Sequence, residues 1–236
     1  MQLLVSAATA ADAAAALDGG ADIVDAKDPA AGALGAVTPH TFANIIAAVA
    51  GARPVTAALG DAGSPASVEA DARMFAALGA TLVKVGLSRT TTVAEAHAIA
   101  ASAVLGAHGA GVVLVAYADV PHAAVTPIAL LDVASASGAA GVLLDTADKR
   151  GPRLTELTTL AWLTEWTALA HRRSLSVALA GRLRAEDLPI VRRCGADVAG
   201  VRGAACEGGR SGCIVAANVR GLRAACRTAG DLVARS

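Results

Sequence analysis

Aromatic residues are scarce in this sequence of 236 residues, which contains two Trp, two Phe and one Tyr. Hydrophobic residues nevertheless make up 55% of the chain, so its core must be built from Ala, Val, Leu and Ile. Aliphatic cores of this kind suit parallel sheets covered by helices, whose strands are continuous apolar runs. The scarcity of aromatic residues therefore favours an α/β architecture, and the length is sufficient for one large domain.

The sequence also lacks net charge, because twenty basic residues balance twenty acidic ones. A protein that binds DNA or an anionic membrane through bulk electrostatics carries an excess of Lys and Arg. We therefore expect no nucleic-acid partner and no membrane partner. Any recognition of a phosphate group has to come from a local arrangement of donors.

Metal-ligand spacing is missing as well. The four cysteines form no Cys-x-x-Cys pair, no histidine follows His171, and the histidines are scattered over predicted helices and loops. The cysteines are Cys194, Cys206, Cys213 and Cys226, and the histidines are His40, His97, His108, His122 and His171. We predict reduced thiols and no metal site. For Cys206 a second interpretation is open: it lies in a Gly-rich segment and could line a site.

The uncharged stretch 96–118 is long enough to span a bilayer, but it is interrupted around Gly106, His108 and Gly109. It divides better into an Ala-rich helix and a strand, so we predict no membrane span. The first residues, Met1–Ser6, lack the basic residues of a signal peptide and predict a strand. We therefore expect a cytoplasmic protein.

What the sequence does contain is a repeated unit of a short aliphatic strand, a loop and an Ala-rich helix. Strands are predicted at Leu3–Val5, Asp22–Ala26, Pro54–Leu59, Thr81–Val85, Val112–Tyr117, Gly141–Leu144, Ser176–Leu179 and Asp197–Val201. Helices are predicted at Thr9–Leu17, Thr38–Ala50, Pro65–Leu78, Thr92–Leu105, Pro127–Ser137, Thr155–Arg172, Ala185–Arg193 and Val215–Arg227. Alternating strands and helices form parallel βαβ units. Eight such units predict one (βα)8 TIM barrel that spans residues 1–236.

Charged residues cluster at the C-terminal ends of the even-numbered strands, where barrels of this class have their active sites. Asp25 and Lys27 point the same way at strand two, Lys84 lies inside strand four, and Asp145 and Lys149 follow strand six. A lysine forms a Schiff base only when neutral, and burial or a neighbouring ammonium lowers its pKa. Lys27 beside Lys84 meets this requirement, and the two carboxylates can transfer protons. The alternative is a buried Asp–Lys salt-bridge network without catalysis.

Glycines follow strands seven and eight, where barrels often bind phosphate. Glycine lets backbone N–H groups approach an anion, and the start of a helix adds its dipole. The residues predicted to bind substrate or phosphate are Ser6, Gly181, Arg202, Gly203, Ala204 and Ala205, with Arg202 included if its side chain faces the rim. The alternative is a tight turn that binds no ligand.

Other polar and aromatic residues carry weaker signals. Asp61, Tyr117 and Asp119 end strands three and five and are interpreted as loop residues rather than catalysts. Trp162 and Trp166 are four residues apart on one predicted helix, which favours packing or a subunit contact. A homo-oligomer is therefore compatible with the sequence.

Several segments resemble the (5-formylfuran-3-yl)methyl phosphate synthase family, also named 4-(hydroxymethyl)-2-furancarboxaldehyde-phosphate synthase. They are Leu3–Ser6, Gly19–Pro29, Gly32–Ala36, Val83–Leu87, Leu143–Ala147 with Lys149, Ala178–Gly181 and Gly200–Cys206. The resemblance implies an enzyme of methanofuran biosynthesis that condenses two glyceraldehyde 3-phosphate molecules to a furan aldehyde phosphate. Phosphate and water are lost, and no cofactor or metal is needed. It also implies that Lys27 forms the Schiff base and Lys84 accepts a proton, supported by Asp25, Asp145 and Lys149.

Two other functions remain open from the residues alone. Another phosphate-sugar barrel, such as an aldolase, isomerase or decarboxylase, could use the same phosphate loops, and acid–base chemistry would then need no imine. A non-catalytic barrel could bind a phosphorylated metabolite without turnover. Borohydride trapping at Lys27 distinguishes the imine-forming enzyme from the first alternative. In the second, Lys27→Ala would weaken binding without abolishing any turnover.

Overall fold

In the computed structural model, which describes residues 1–61, 63–90, 92–121 and 123–227, eight parallel strands close into one barrel. Each strand pairs with its neighbours in chain order, and β8 pairs with β1. The strands are β1 Gln2–Ala7, β2 Ile23–Ala26, β3 Val55–Asp61, β4 Leu82–Gly86, β5 Gly111–Tyr117, β6 Gly141–Asp145, β7 Ser176–Leu179 and β8 Val198–Val201. The predicted (βα)8 barrel is confirmed.

Helices cover the outside of the barrel. They are α1 Ala10–Asp18, α2 Pro39–Val49, α3 Pro65–Ala77, α4 Val93–Ala107, α5 Pro127–Ser137, α6 Leu154–Leu157, α7 Leu160–His171, α8 Leu188–Arg193 and α9 Ala216–Ala225. A Thr or Ser caps many of their N-termini, and the side chains of Thr38, Ser64 and Thr126 accept a hydrogen bond from the first turn. A proline follows each of these three caps, where its missing N–H costs nothing.

The predicted helix Thr155–Arg172 is wrong in one respect, because it is two helices. Thr158 and Thr159 have extended backbone conformations between α6 and α7. The Thr159 side chain accepts a hydrogen bond from Trp162 N and so starts a new helix. The predicted helix Ala185–Arg193 likewise opens with a 3-10 turn, Ala185–Asp187, before α8.

The Gly-rich segment after β8 contains a small hairpin that the sequence did not predict. Its antiparallel strands are β9 Cys206–Glu207 and β10 Cys213–Ile214, and a 3-10 turn, Gly203–Ala205, precedes it. The hairpin lies between β8 and α9, so it belongs to the loops at the C-terminal ends of the strands.

The uncharged stretch 96–118 divides as predicted, because α4 ends at Ala107 and β5 begins at Gly111. Within the described ranges, none of the helices has both the length and the apolar character that crossing a bilayer requires.

The core has two parts, because strand side chains alternate between the helices and the barrel interior. The larger part lies between strands and helices and includes Val112 and Leu114 of β5. The smaller part includes Val113, Val115 and Tyr117 of the same strand. These strand residues pack inside the barrel, and Val113 lines the cavity described below.

Candidate active site

A cavity of about 560 Å³ lies at the C-terminal ends of the strands and extends into the barrel. Its lining includes all five charged residues that the sequence predicted to converge, namely Asp25, Lys27, Lys84, Asp145 and Lys149. They come from β2, β4 and β6 or from the loops that follow. The period of two along a strand turns Asp25, Lys84 and Asp145 toward the cavity, and the loops after β2 and β6 bring Lys27 and Lys149 to it.

Asp25 is fully buried at the centre of a hydrogen-bond network. Its Oδ2 accepts a hydrogen bond from Ser6 Oγ at 3.1 Å, and its Oδ1 accepts one from Thr56 Oγ1 at 2.6 Å. Lys84 Nζ lies 2.5 Å from the same Oδ1. The register of β1, β2 and β3 sets these contacts, because Asp25 pairs with Ser6 on one side and Thr56 on the other. The buried carboxylate is thus charge-paired and oriented.

Asp145 forms the second ion pair of the cavity. Lys149 Nζ lies 2.6 Å from Asp145 Oδ1, which also accepts a hydrogen bond from Thr146 N at 2.7 Å. Burial alone would raise the pKa of Asp145, but Lys149 and Lys27 outweigh it and hold this pKa below its usual range. Asp145 is therefore a carboxylate at neutral pH.

Lys27 follows β2 directly and is buried, with 6% of its surface exposed. Its Nζ makes no hydrogen bond or ion pair with the described residues, unlike Lys84 and Lys149. Burial lowers the pKa of Lys27 to about 8; Asp145 and Asp25 oppose this shift, whereas Lys84 and Lys149 favour it. Roughly a tenth of such a group is neutral at pH 7, far more than for an exposed lysine.

The turns after β7 and β8 lie on another part of the cavity wall. Gly181, Gly203 and Ala204 line the cavity. Gly181 has φ +112°, and its Cα lies in a crowded position where a Cβ would be 3.0 Å from Leu154 and Thr146. Ala205 is not among the lining residues, and its N–H donates to Arg202 O at 2.8 Å.

Ser6 and Arg202 were the two polar side chains predicted to bind substrate or phosphate. Both are already hydrogen-bonded within the protein. The Ser6 hydroxyl donates to Asp25, as described above. The Arg202 guanidinium donates to Ser6 O at 2.7 Å and Asp12 Oδ2 at 3.1 Å, and to the carbonyl oxygens of Arg210 and Gly212 at 2.8 and 3.3 Å. These contacts favour a scaffold function for the Arg202 side chain rather than direct contact with a phosphate.

Three arginines that the sequence analysis did not single out also line the cavity: Arg182, Arg184 and Arg210. Arg210 lies in the hairpin loop between Gly209 and Ser211, and a lone arginine inside a Gly-rich loop is the signal that could have identified it. Asp12, the buried partner of Arg202, is an acidic residue in an otherwise Ala-rich helix, which is a comparable signal.

The polar residues at the ends of β3 and β5 contact one another or a neighbouring loop. Asp61 Oδ1 accepts hydrogen bonds from Ser88 Oγ at 2.8 Å and Tyr117 OH at 3.1 Å. Burial and the nearby Asp61 raise the pKa of Tyr117. Asp119 accepts hydrogen bonds from Ala147 N and Asp148 N at 2.7 and 2.8 Å, so it supports the loop that carries Lys149.

Within the described part of the chain, no three His, Cys, Asp or Glu side chains gather in a group that could hold a metal ion. His122 lies outside the described residues.

Trp162 and Trp166 stack with ring centroids 6.3 Å apart, and Trp166 Nε1 donates to Pro127 O at 2.8 Å.

Solved structures that resemble this chain share its barrel. A 3-hexulose-6-phosphate synthase superposes with a TM-score of 0.64 at 23% identity, over 96% of this chain and 100% of that one. A phosphoribosyl anthranilate isomerase of Thermus thermophilus has a TM-score of 0.63 at 15% identity, over 95% and 98%. At these identities the likeness concerns the fold alone.

Sequence relatives are closer. The (5-formylfuran-3-yl)methyl phosphate synthase of Methanopyrus kandleri is 39% identical over 214 residues, 88% of this chain and 90% of the relative. The enzyme of that name from Methanosarcina acetivorans is 36% identical over 233 residues, 96% and 100%. A putative synthase of Streptomyces griseus is 41% identical over 194 residues, 80% and 78%. The family model described as 4-HFC-P synthase matches residues 3–223, and the chain therefore belongs to that family.

Proposed function

We propose that this chain condenses two glyceraldehyde 3-phosphate molecules to (5-formylfuran-3-yl)methyl phosphate in methanofuran biosynthesis, through a Schiff base at Lys27. Relatives named as synthases of this product support the reaction. The observation that carries the mechanism is the Lys27 amine, which is buried in the cavity, has no direct partner among the described residues and has a pKa lowered to about 8.

The first step is attack of the neutral Lys27 amine on the aldehyde carbon of one substrate molecule. The carbinolamine that forms must lose its hydroxyl as water to give the imine. The Lys84 ammonium, held 2.5 Å from Asp25, is the acid that donates a proton to this departing hydroxyl. Lys84 is then a neutral amine and can act as a base.

The imine acidifies the neighbouring carbon, from which neutral Lys84 removes a proton. The resulting enamine can form a carbon–carbon bond with the second aldehyde, and it can also expel a phosphate from the carbon next to its double bond. Asp145 and Lys149, 2.6 Å apart, are a second proton-transfer pair at the end of β6, across the barrel from β2. For each furan formed, one phosphate and two water molecules balance the atoms.

Backbone N–H groups at Gly181, Gly203 and Ala204 are the proposed ligands of a substrate phosphate. All three residues line the cavity, and two of them lack a side chain that would keep an anion away from the backbone. Ala205 and the Arg202 side chain are left out of this proposal, because their donors are bound within the protein.

The test is incubation of the purified protein with glyceraldehyde 3-phosphate, followed by furan absorbance and by inorganic phosphate. One phosphate should appear for each furan, and borohydride should attach a substrate-derived mass to the peptide that contains Lys27. An isomerase or decarboxylase would turn over without that adduct, and a binding protein would give neither furan nor phosphate. Either result would contradict the proposed function.

A further inference from the structure

The Arg210 side chain joins the loop after β8 to the loop after β2, two strands away in the barrel. Arg210 lies in the loop of the β9–β10 hairpin, and its Nη2 donates to Gly32 O at 2.8 Å. Gly32 belongs to the loop after β2, five positions beyond Lys27 and 178 residues from Arg210. The guanidinium is therefore held against the loop that follows β2 and Lys27.

The Arg210 guanidinium has no close counter-charge among the residues that the structure describes. Lys84, Lys149 and Arg202 each form an ion pair, with Asp25, Asp145 and Asp12 respectively. No described carboxylate lies within ion-pair distance of Arg210, and the one hydrogen bond that its guanidinium makes with the described residues is to the backbone carbonyl of Gly32. Burial lowers the pKa of Arg210, with Asp145 opposing this shift.

The other two arginines of the cavity wall differ from Arg210. Arg182 and Arg184 are exposed, and Arg184 lies 3.8 Å from Glu186. A guanidinium remains protonated even when partly buried. The half-buried positive charge of Arg210 is thus available to an anion that enters the cavity.

The backbone of Arg210 is fixed before any ligand binds. Arg202 Nε donates to Arg210 O at 2.8 Å, and Asp12 Oδ1 accepts from Ile214 N at 3.1 Å, so a buried ion pair anchors the hairpin. A Cβ on Gly203 would lie 3.7 Å from Arg210 N, so the side chain starts next to the turn after β8. It ends at Gly32 O, in the loop after β2. A donor fixed in this way loses little entropy on binding.

We propose that Arg210 forms a second phosphate subsite, which binds the phosphate of the second substrate molecule while the turns after β7 and β8 bind the first. This inference rests on the proposed function, which requires two phosphate monoesters in one cavity. A guanidinium that makes one hydrogen bond keeps further N–H donors, and its planar shape matches two phosphate oxygens.

The experiment is calorimetric titration with glycerol 3-phosphate, which has no carbonyl group and cannot form an imine. The unmodified protein should bind two molecules per chain, and Arg210→Gln should bind one. Arg150→Gln is the matched control, because its side chain is 97% exposed and is absent from the cavity wall. It should still bind two, and Arg210→Lys should recover part of the lost affinity.

In turnover, Arg210→Gln should raise the KM for glyceraldehyde 3-phosphate by at least about tenfold, as expected for a lost charge-assisted contact. Borohydride trapping of Lys27 at saturating substrate should persist, because the first molecule keeps its own phosphate site. The inference is overturned if the unmodified protein binds one glycerol 3-phosphate, or if Arg210→Gln binds two with unchanged affinity.

The two proposals fail in different ways. If two molecules of glycerol 3-phosphate bind but no furan forms, the condensation is wrong and the second subsite stands. If furan forms and Arg210→Gln keeps both the stoichiometry and the KM, the subsite is wrong and the condensation stands. Melting temperatures of the Arg210 and Arg150 variants should match, which separates loss of binding from loss of folded protein.

Discussion

Lys84 Nζ lies 2.5 Å from Asp25 Oδ1, and both side chains are almost completely buried. Lys84 therefore acts on Lys27 as half of an ion pair and not as an isolated ammonium. Burial lowers the pKa of Lys27 to about 8; among the charges, Asp145 opposes this most, and Lys84 favours it more strongly than Asp25 opposes it. The two lysines thus differ in their surroundings: Lys84 forms an ion pair, whereas Lys27 has no partner within the described part of the chain.

This difference predicts opposite effects of two similar substitutions on stability. A base whose pKa is lower in the folded than in the unfolded chain binds fewer protons when folded, so its burial opposes folding below the folded pKa. Lys27→Met should therefore raise the free energy of unfolding at pH 7 by up to about 3 kcal/mol. The gain should fade as the pH rises from about 8 toward the ordinary value of 10.5.

Lys84→Met is the comparison, because it leaves Asp25 buried without its cation. The expected loss is about 3–5 kcal/mol. Urea unfolding of both variants at pH 7 and pH 10 measures the two effects. A Lys27→Met variant that is less stable than the unmodified protein at pH 7 contradicts the argument from burial.

The pH dependence of imine trapping should show how the charges of Lys84 and Asp25 change the pKa of Lys27. Removing the Lys84 ammonium should raise the pKa of Lys27 by roughly one unit, and Asp25→Asn should lower it while impairing proton transfer. The double variant Asp25→Asn with Lys84→Met removes the whole pair, and it should leave the pKa of Lys27 slightly raised because Lys84 has the larger effect.

The measurement is the fraction of Lys27 trapped by borohydride with a non-condensing aldehyde phosphate as the pH is varied, with circular dichroism confirming the fold. An unchanged profile in Lys84→Met would show that Lys84 and Lys27 are not electrostatically coupled and that burial alone accounts for the neutral amine.

Lys27 and Lys84 should also have different catalytic roles, with Lys27 forming the imine and Lys84 transferring protons. Lys27→Arg should abolish imine trapping, because a guanidinium stays charged at any accessible pH. Lys84→Arg should keep some trapping but lose turnover, since its proton cannot be returned and removed within the cycle. Mass spectrometry of the trapped peptide and furan formation are the two readouts. Full activity of Lys27→Arg, with an adduct at another lysine, would falsify the assignment.

Bulk at Gly203 should interfere with phosphate binding more than with folding. A Cβ at this position meets only ordinary contacts, the nearest 3.7 Å away, so Gly203→Ala should fold normally and bind almost unchanged. Gly203→Val should raise the KM by about tenfold or more, because its branched side chain covers the backbone donors. Equal KM values for the two variants would exclude this turn as a phosphate ligand.

The Asp12–Arg202 pair should matter far more for stability than a surface pair of the same composition. Asp12→Asn leaves a buried guanidinium without its carboxylate and should cost about 3–5 kcal/mol. Asp132, which is 66% exposed and lies 2.7 Å from Arg173, is the control; Asp132→Asn should cost less than about 1 kcal/mol. Similar losses in chemical denaturation of both variants would show that the buried pair does not anchor the hairpin.

Local rules were sufficient to predict much of the barrel from the sequence. The alternation of aliphatic strands with capped helices predicted eight βα units, and the period of two placed Asp25 and Lys27 on one face. The helix predicted over Thr155–Arg172 was wrong because its apolar pattern continues across Thr158 and Thr159, where two extended residues end one helix and begin another.

Only the tertiary structure decided which charges meet. The sequence predicted that carboxylates and lysines meet at one rim, but the pairing of Asp25 with Lys84 and of Asp145 with Lys149 depends on side-chain directions across strands. This pairing leaves Lys27 without a partner among the residues that the structure describes. The same holds for Arg202, which turns to Asp12, and for Arg210, which reaches Gly32 across 178 residues of chain. Spacing along a sequence specifies the face of each strand, whereas barrel closure brings distant loops together, and no local pattern encodes their distance.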